Sequence, residues 1–315
     1  MYEEFYGLNE PPFSLTPDPR YFYRSEAHNR AFELLHYGIR RREGFMVLYG
    51  DIGAGKTTLC RTVLDTLDNN VYTALLLNPF LSETDLIKAI LKDFGVPVSS
   101  AGKQELIHAL NEFLLSIVEK GARAVVVIDE AQNIPLTTLE QIRILSNLET
   151  NKEKLLQIVL VGQLNLIDVL SKPELRQLYQ RISIKCELSP LTKDEVADYL
   201  RHRLAVAGAT TLQVSFTPDG VKEMYDYSGG IPRLVNLIAD RSLLAGLALN
   251  SHTIDKRAVQ EAVKTLQISK QPHGKAAVSR LGKTGWLRQA ALVLGLSAIL
   301  ALVFVFLMNG LSLGR

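Results

Sequence analysis

The chain has 315 residues, 47% of them hydrophobic, with 35 Lys and Arg against 33 Asp and Glu. That length and apolar content allow one large domain or two modest ones around a sizeable core, and they exclude a disordered chain. The last acid is Glu261, and setting aside the six basic residues from Lys270 onward leaves 29 basic residues against 33 acids, a net of −4. Bulk charge in the folded part therefore gives no argument for nucleic-acid binding, and nucleic acid is not an expected partner.

The N-terminus, MYEEFYGL, carries two acids and no apolar run, so it does not read as a signal peptide. Residues 1–44 open with the Pro-studded segment NEPPFSLTPDPRYFY, expected as an extended strap docked on the core. A helical pattern follows from about Ala27 to Arg42. Residues 45–190 then alternate strand and helix. FMVLY is followed by a helix from about Gly55 to Leu67, and YTALLL by helices from about Ser82 and Lys103. AVVVID precedes a helix near Thr137 to Glu149, and LLQIVLVG and RISIKCEL complete the set. Apolar strands separated by amphipathic helices predict an α/β domain with a parallel sheet covered on both faces. Cys60 falls in a helix and Cys186 in a strand, without metal-ligand spacing, and both read as small buried hydrophobes.

Past Leu188 the strands stop. Thr192 with Glu195 forms a capping box, Thr217-Pro218 opens a second helix that Gly229-Gly230 ends, and Pro232 and Asp255 start two more. Residues 191–267 are thus expected to form a small all-helical domain. Residues 268–289, including SKQPHGKAAVSRLGKTG, read as a basic linker. Ala290 to Met308 is 19 residues without a charge, long enough to cross a bilayer. Its leucines, valines, phenylalanines and isoleucine favour insertion by roughly 4–7 kcal/mol. The expectation is a single transmembrane helix over 290–308 with a short tail, 309–315. Five basic residues between Lys270 and Arg288 precede it and only Arg315 follows, which by the positive-inside tendency keeps the domain before it in the cytoplasm.

The chemistry concentrates at Gly50-Asp51-Ile52-Gly53-Ala54-Gly55-Lys56-Thr57, a G-x-x-x-x-G-K-[ST] loop between a predicted strand and a predicted helix. The glycines admit close backbone approach to phosphate, and the helix N-terminus beyond adds free N–H groups and a dipole that favours anions. Lys56 is expected on the β- and γ-phosphates of ATP and Thr57 on Mg²⁺, while Thr58 reads as part of the loop's framework. AVVVIDEAQ ends a strand in Asp129 and Glu130. Asp129 is the candidate Mg²⁺ ligand, directly or through water, and Glu130 the base for the attacking water.

Gln163, closing IVLVGQ, either bridges the γ-phosphate and that water or makes a strand-end hydrogen bond. Arg233, in the first turn after GGIP, can fold over the γ-phosphate. Arg176 and Arg181, in ELRQLYQRI, are alternative candidates for an arginine finger reaching a neighbouring subunit's nucleotide.

The loop, DEAQ, the Gln163 strand end and GGIPR come in one order, after the opening YEEFYGLNEPPFSLTPDP. In these the chain resembles the ExeA/GspA-like AAA+ ATPases of bacterial secretion systems, with relatives in pilus-biogenesis and exosortase-linked exopolysaccharide systems. The resemblance runs from residue 1 to about 267. It implies a P-loop NTPase AAA+ core with the helical domain as its lid. It also implies an ATP-dependent homo-oligomer with shared nucleotide sites on the inner face of the bacterial inner membrane, partnered by envelope secretion or export proteins. Secretion-type members continue past a membrane span into a peptidoglycan-binding region; beyond Met308 this sequence gives seven residues. Two other classes stay open at this point. One is a nucleotide-gated DNA-binding ATPase similar to transposition regulators of the TnsC/TniB kind, and the other is a scaffold that binds ATP to oligomerise and seldom hydrolyses it.

Overall fold

A computed structural model describes residues 1–268, apart from 17, 78–79, 98–101, 151–152 and 210–212. The expected membrane helix, most of the linker and the tail lie outside the described residues. Among the described residues no helix is long and apolar enough to cross a membrane.

In chain order the elements are α1 (Tyr2–Tyr6), α2 (Glu26–Arg40), β1 (Phe45–Gly50), α3 (Lys56–Asp65), β2 (Val71–Leu76), α4 (Glu83–Asp93), α5 (Lys103–Val118) and β3 (Arg123–Ile128). Next come α6 (Leu136–Leu145), β4 (Leu156–Gly162), α7 (Leu166–Leu170), α8 (Arg176–Tyr179) and β5 (Ile182–Leu188). The chain continues with α9 (Lys193–Val206), β6 (Ser215–Phe216), α10 (Pro218–Ser228), α11 (Pro232–Ala248), β7 (Thr253–Ile254) and α12 (Lys256–Leu266).

Strands β1 to β5 form one sheet in the order β2-β3-β4-β1-β5, and every pairing in it is parallel. Side chains alternate strictly between its faces. Phe45 and Val47 of β1, with Ala124, Val126 and Ile128 of β3, enter the core under α4, α5 and α6. Met46, Leu48, Val125 and Val127 enter the opposite core, under α2 and α3. This period of two on strands buried on both sides is why they read in sequence as continuous apolar runs. The order also puts the carboxyl ends of β1, β4 and β3 side by side, so the loops after them face one another.

The helices α9 to α12 make a second core, and their starts follow the local signals. Thr192 and Glu195 close a reciprocal capping box on α9, Thr217 and Asp255 cap α10 and α12 through their side chains, and Gly229 ends α10 at φ 60°. Two features refine the expectation of an all-helical unit and a strap docked on the core. A two-residue parallel pair, β6 with β7, ties the start of α10 to the start of α12. The N-terminal strap docks on the helices and not on the sheet: Tyr2, Tyr6, Leu8, Phe13 and Tyr21 are buried in the same cluster as Leu200, Met224, Ile238 and Val259. Its anchors are specific, with Tyr6 Oη donating to Leu243 O (3.0 Å), Tyr2 Oη to Asp240 Oδ1 (2.6 Å) and the Asn9 N–H to Ala207 O (2.8 Å). Of the first 44 residues, α2 packs on the sheet with Phe22 beside it.

Candidate nucleotide site

Between the carboxyl end of the sheet and the helical unit lies a cavity of about 330 Å³, bounded by the Gly50–Thr58 loop, the strap, α9 and the start of α11. The loop takes its shape from glycines that no other residue replaces cheaply. Gly53 (φ 81°) and Gly55 (φ 97°) sit in left-handed backbone, and a Cβ on Gly53 would stand 2.6 Å from Arg233 Cβ.

Lys56 is buried and its Nζ donates to the carbonyls of Gly50 (3.0 Å) and Asp51 (2.8 Å). Burial pulls its ammonium below the usual lysine range, opposed by the carboxylates of Glu130, Asp129 and Asp51. A cation held in a neutral cradle at the mouth of α3 is ready to exchange carbonyls for phosphate oxygens.

Thr57 Oγ1 donates to Asp129 Oδ2 at 2.5 Å, across 72 residues of sequence. A hydroxyl and a carboxylate at this spacing are hard oxygen donors, and Mg²⁺ takes one or two such ligands and completes its shell with water and phosphate oxygens. The donor set fits that ion, which would be held by Thr57 and Asp129.

Glu130 follows in a left-handed conformation, φ 51°, one of four non-glycine residues at positive φ among the described residues, with Arg42, Asn250 and Gln267. Its Oε2 accepts from Gln132 Nε2 (2.6 Å) and from Gln163 Nε2 (3.3 Å). Gln132 in turn accepts the Gln163 N–H through Oε1 (3.0 Å), so one glutamine joins the ends of β3 and β4 and aims the carboxylate. The space it occupies is reserved: a Cβ on Gly162 would lie 2.6 Å from Gln132 Oε1.

Arg233 reaches the loop through its backbone, its N–H donating to Gly53 O at 3.3 Å, and its residue lines the cavity. The structure thus assembles Gly50 to Thr58, Asp129, Glu130, Gln163 and Arg233 at one place. It does not bring Arg176 and Arg181 there. Both are exposed, neither lines the cavity, and Arg181 Nη1 donates to Ser146 Oγ (2.9 Å) and Asn147 Oδ1 (2.5 Å).

Several site residues were not singled out from sequence. Gln132 stands inside the quoted DEAQ and could have been read from it. On the strap side, buried Arg203 donates to Pro12 O (2.5 Å), Ser14 O (3.3 Å) and Tyr199 Oη (3.1 Å), stacking over Tyr21 at 4.6 Å. Tyr199 Oη donates to Asn236 Oδ1 (2.7 Å), one turn beyond Arg233. No local pattern announces these contacts, because their partners lie up to 191 residues apart.

Comparison with known proteins agrees with this geometry. Residues 39–170 match the AAA domain family. General secretion pathway protein A of Aeromonas hydrophila is 46% identical over 255 residues, covering 81% of this chain and 46% of that protein. An uncharacterised HTH-type transcriptional regulator of Methanocaldococcus jannaschii is 26% identical over 57% of this chain and 44% of its own length. The chain therefore spans less than half the length of the curated relatives it matches. Among solved structures, Cdc6p of Pyrobaculum aerophilum superposes with a TM-score of 0.61 at 20% identity, covering 81% of this chain and 70% of the other. The Aeropyrum pernix ORC2 protein gives 0.62 at 15%, covering 84% and 73%. At such identities these two speak for the fold alone. The fold, the loop with its two strand-end carboxylates, and the 46% identity lead to one assignment: the chain belongs to the ExeA/GspA-like family of AAA+ proteins.

Proposed function

We propose that the chain is an ATPase whose binding and hydrolysis of ATP, with Mg²⁺, drives or times the assembly of a bacterial envelope secretion or export machine. The observation that carries the catalytic part is the Glu130 carboxylate, held by Gln132 and Gln163 beside the Thr57–Asp129 pair. Bound Mg²⁺ supplies charge neutralisation at the β- and γ-phosphates. Lys56 and the loop N–H groups bind the phosphates, and Glu130 accepts a proton from water that Gln163 helps to orient. Arg233, on the helical unit but bonded to the loop, folds over the γ-phosphate and reports its loss.

Arg181 or Arg176, exposed and not lining their own cavity, serves a neighbouring copy in a homo-oligomer. Residues 290–308 anchor the chain in the inner membrane with the ATPase on the cytoplasmic side. The secretion context rests on the name of the Aeromonas relative and on the family.

The test is steady-state ATP hydrolysis with Mg²⁺ by the parent and Glu130→Gln, alongside direct ATP binding. Glu130→Gln should bind ATP and stall, and Lys56→Ala should bind it weakly. Equal turnover in parent and Glu130→Gln removes Glu130 from the base role.

A further inference from the structure

His28 lies in the first turn of α2 and is 3% exposed. Its Nε2 stands 3.1 Å from Ala54 O, in the middle of the phosphate loop, and its Nδ1 2.7 Å from Ser25 Oγ. A carbonyl only accepts, so Nε2 carries the proton and Nδ1 accepts from the Ser25 hydroxyl. Ser25 Oγ also accepts the His28 N–H (3.3 Å) as the cap of α2, which fixes the imidazole from both ends. The Phe22 ring packs edge-on at 5.4 Å, and burial keeps the ring neutral by lowering its proton affinity.

The peptide joining Ala54 to Gly55 is planar and trans, so its N–H points opposite to its carbonyl. With the carbonyl held toward His28, the Gly55 N–H points away from the ring; Gly55 lines the cavity, and among the described residues its N–H has no acceptor. Gly55 itself leaves room for this arrangement, since a Cβ there would meet His28 Nε2 at 3.1 Å. At the first residue of α2, directly after the Ser25 cap, the Glu26 N–H donates to Glu195 Oε1 (2.9 Å), and Glu195 Oε2 accepts the Thr192 N–H at the start of α9 (2.9 Å). The helical unit is therefore bonded to the segment that bears His28.

We infer that His28 is a positioning residue for nucleotide: it holds the Ala54 carbonyl outward so that the Gly55 N–H points at the phosphate, and through Glu26 and Glu195 it links that peptide to the helical unit. This rests on the reading of the cavity as an ATP site. Removing the Nε2 donor frees the peptide to rotate, which costs affinity for the anion and not the proton transfer at Glu130.

The experiment is titration of the full chain with a fluorescent ATP analogue, with steady-state turnover in parallel, for the parent, His28→Leu, His28→Gln and His28→Asn. Failure of the parent to bind the analogue overturns the ATP site itself. With a binding parent, His28→Leu should weaken affinity by about tenfold or more, as expected for a buried carbonyl left unpaired. Turnover at saturating ATP should stay within about threefold. His28→Gln, whose amide reaches the place of Nε2, should restore most of the affinity, and His28→Asn, whose amide ends at the place of Nδ1, should not. Should His28→Leu fail to fold, the contrast between Gln and Asn decides alone. Leu within about twofold of the parent, or Gln and Asn equally weak, overturns the inference.

Discussion

Removing the ring of Tyr6 tests whether the strap is part of the helical unit's core. Tyr6 is 1% exposed, and its ring meets Phe5 edge-on at 4.8 Å and His252 edge-on at 5.8 Å. Its hydroxyl donates to Leu243 O, and a Cβ on Gly246 would lie 2.4 Å from Tyr6 Oη, so the socket is closed around the hydroxyl. Truncating a buried aromatic costs about 3–5 kcal/mol, and the lost hydrogen bond adds about 1 kcal/mol. Tyr6→Ala should thus remove roughly 4–6 kcal/mol from a total that is typically about 5–15 kcal/mol, and Tyr6→Phe only about 1 kcal/mol.

The two are separated by urea unfolding followed by circular dichroism. Burial pushes the Tyr6 hydroxyl up to about 12. An unfolded tyrosine titrates near about 10, so the stability its neutral form contributes is intact below that pH and is lost as pH rises toward about 12. The gap between parent and Tyr6→Phe should therefore close near pH ~11, where the unfolded chain alone ionises. Tyr6→Ala within about 1 kcal/mol of the parent would refute the reasoning, because the strap would then be a surface passenger.

Three other outcomes are expected. Arg181→Ala should retain ATP binding and lose turnover by a large factor, since an arginine finger contributes ~10³–10⁵ in rate; mixing it with Lys56→Ala should restore part of the activity in shared oligomers, and no recovery in proven mixed oligomers argues against a shared site. Gly230→Ala should destabilise by about 3 kcal/mol or more, as Gly230 sits at φ 77° and a Cβ would fall 1.9 Å from Leu191 O; thermal unfolding checks this, and a parental midpoint contradicts it. A chain ending at Gln267 should fractionate as soluble and still hydrolyse ATP, while the full chain should resist carbonate extraction and Leu300→Arg should loosen it by about 2.5–3.5 kcal/mol of insertion cost; a full chain that washes off the membrane overturns the anchor.

What the sequence made legible was local. The Gly50–Thr57 loop, the strand-end carboxylates and the caps at Thr192, Thr217 and Asp255 are each specified within a few residues; the structure makes those caps and sets Thr57 against Asp129. Helix α6 stops at Leu145 and not near Glu149, because the chain turns there into a bridge between Glu149 and Lys154. The short helices α7 and α8 have too few turns to show a period. What stayed hidden was the destination of the strap and the partners of His28 and Arg203. A tyrosine whose acceptor lies 237 residues away leaves no trace in its neighbours, and a single histidine in an amphipathic helix looks like any other polar residue.

The left-handed backbone at Glu130 places that position under two opposed selections. A residue other than Gly or Asn held there costs on the order of 1–2 kcal/mol, set against the side-chain hydrogen bonds from two glutamines and the backbone bonds to Asp129 and Asn133. Screening a library of this position for heat resistance should therefore enrich Gly and Asn, whereas screening it for nucleotide turnover should return Glu. If Glu130 is the base, replacing it by Gly or Asn should trade nucleotide turnover for folding stability in a single step.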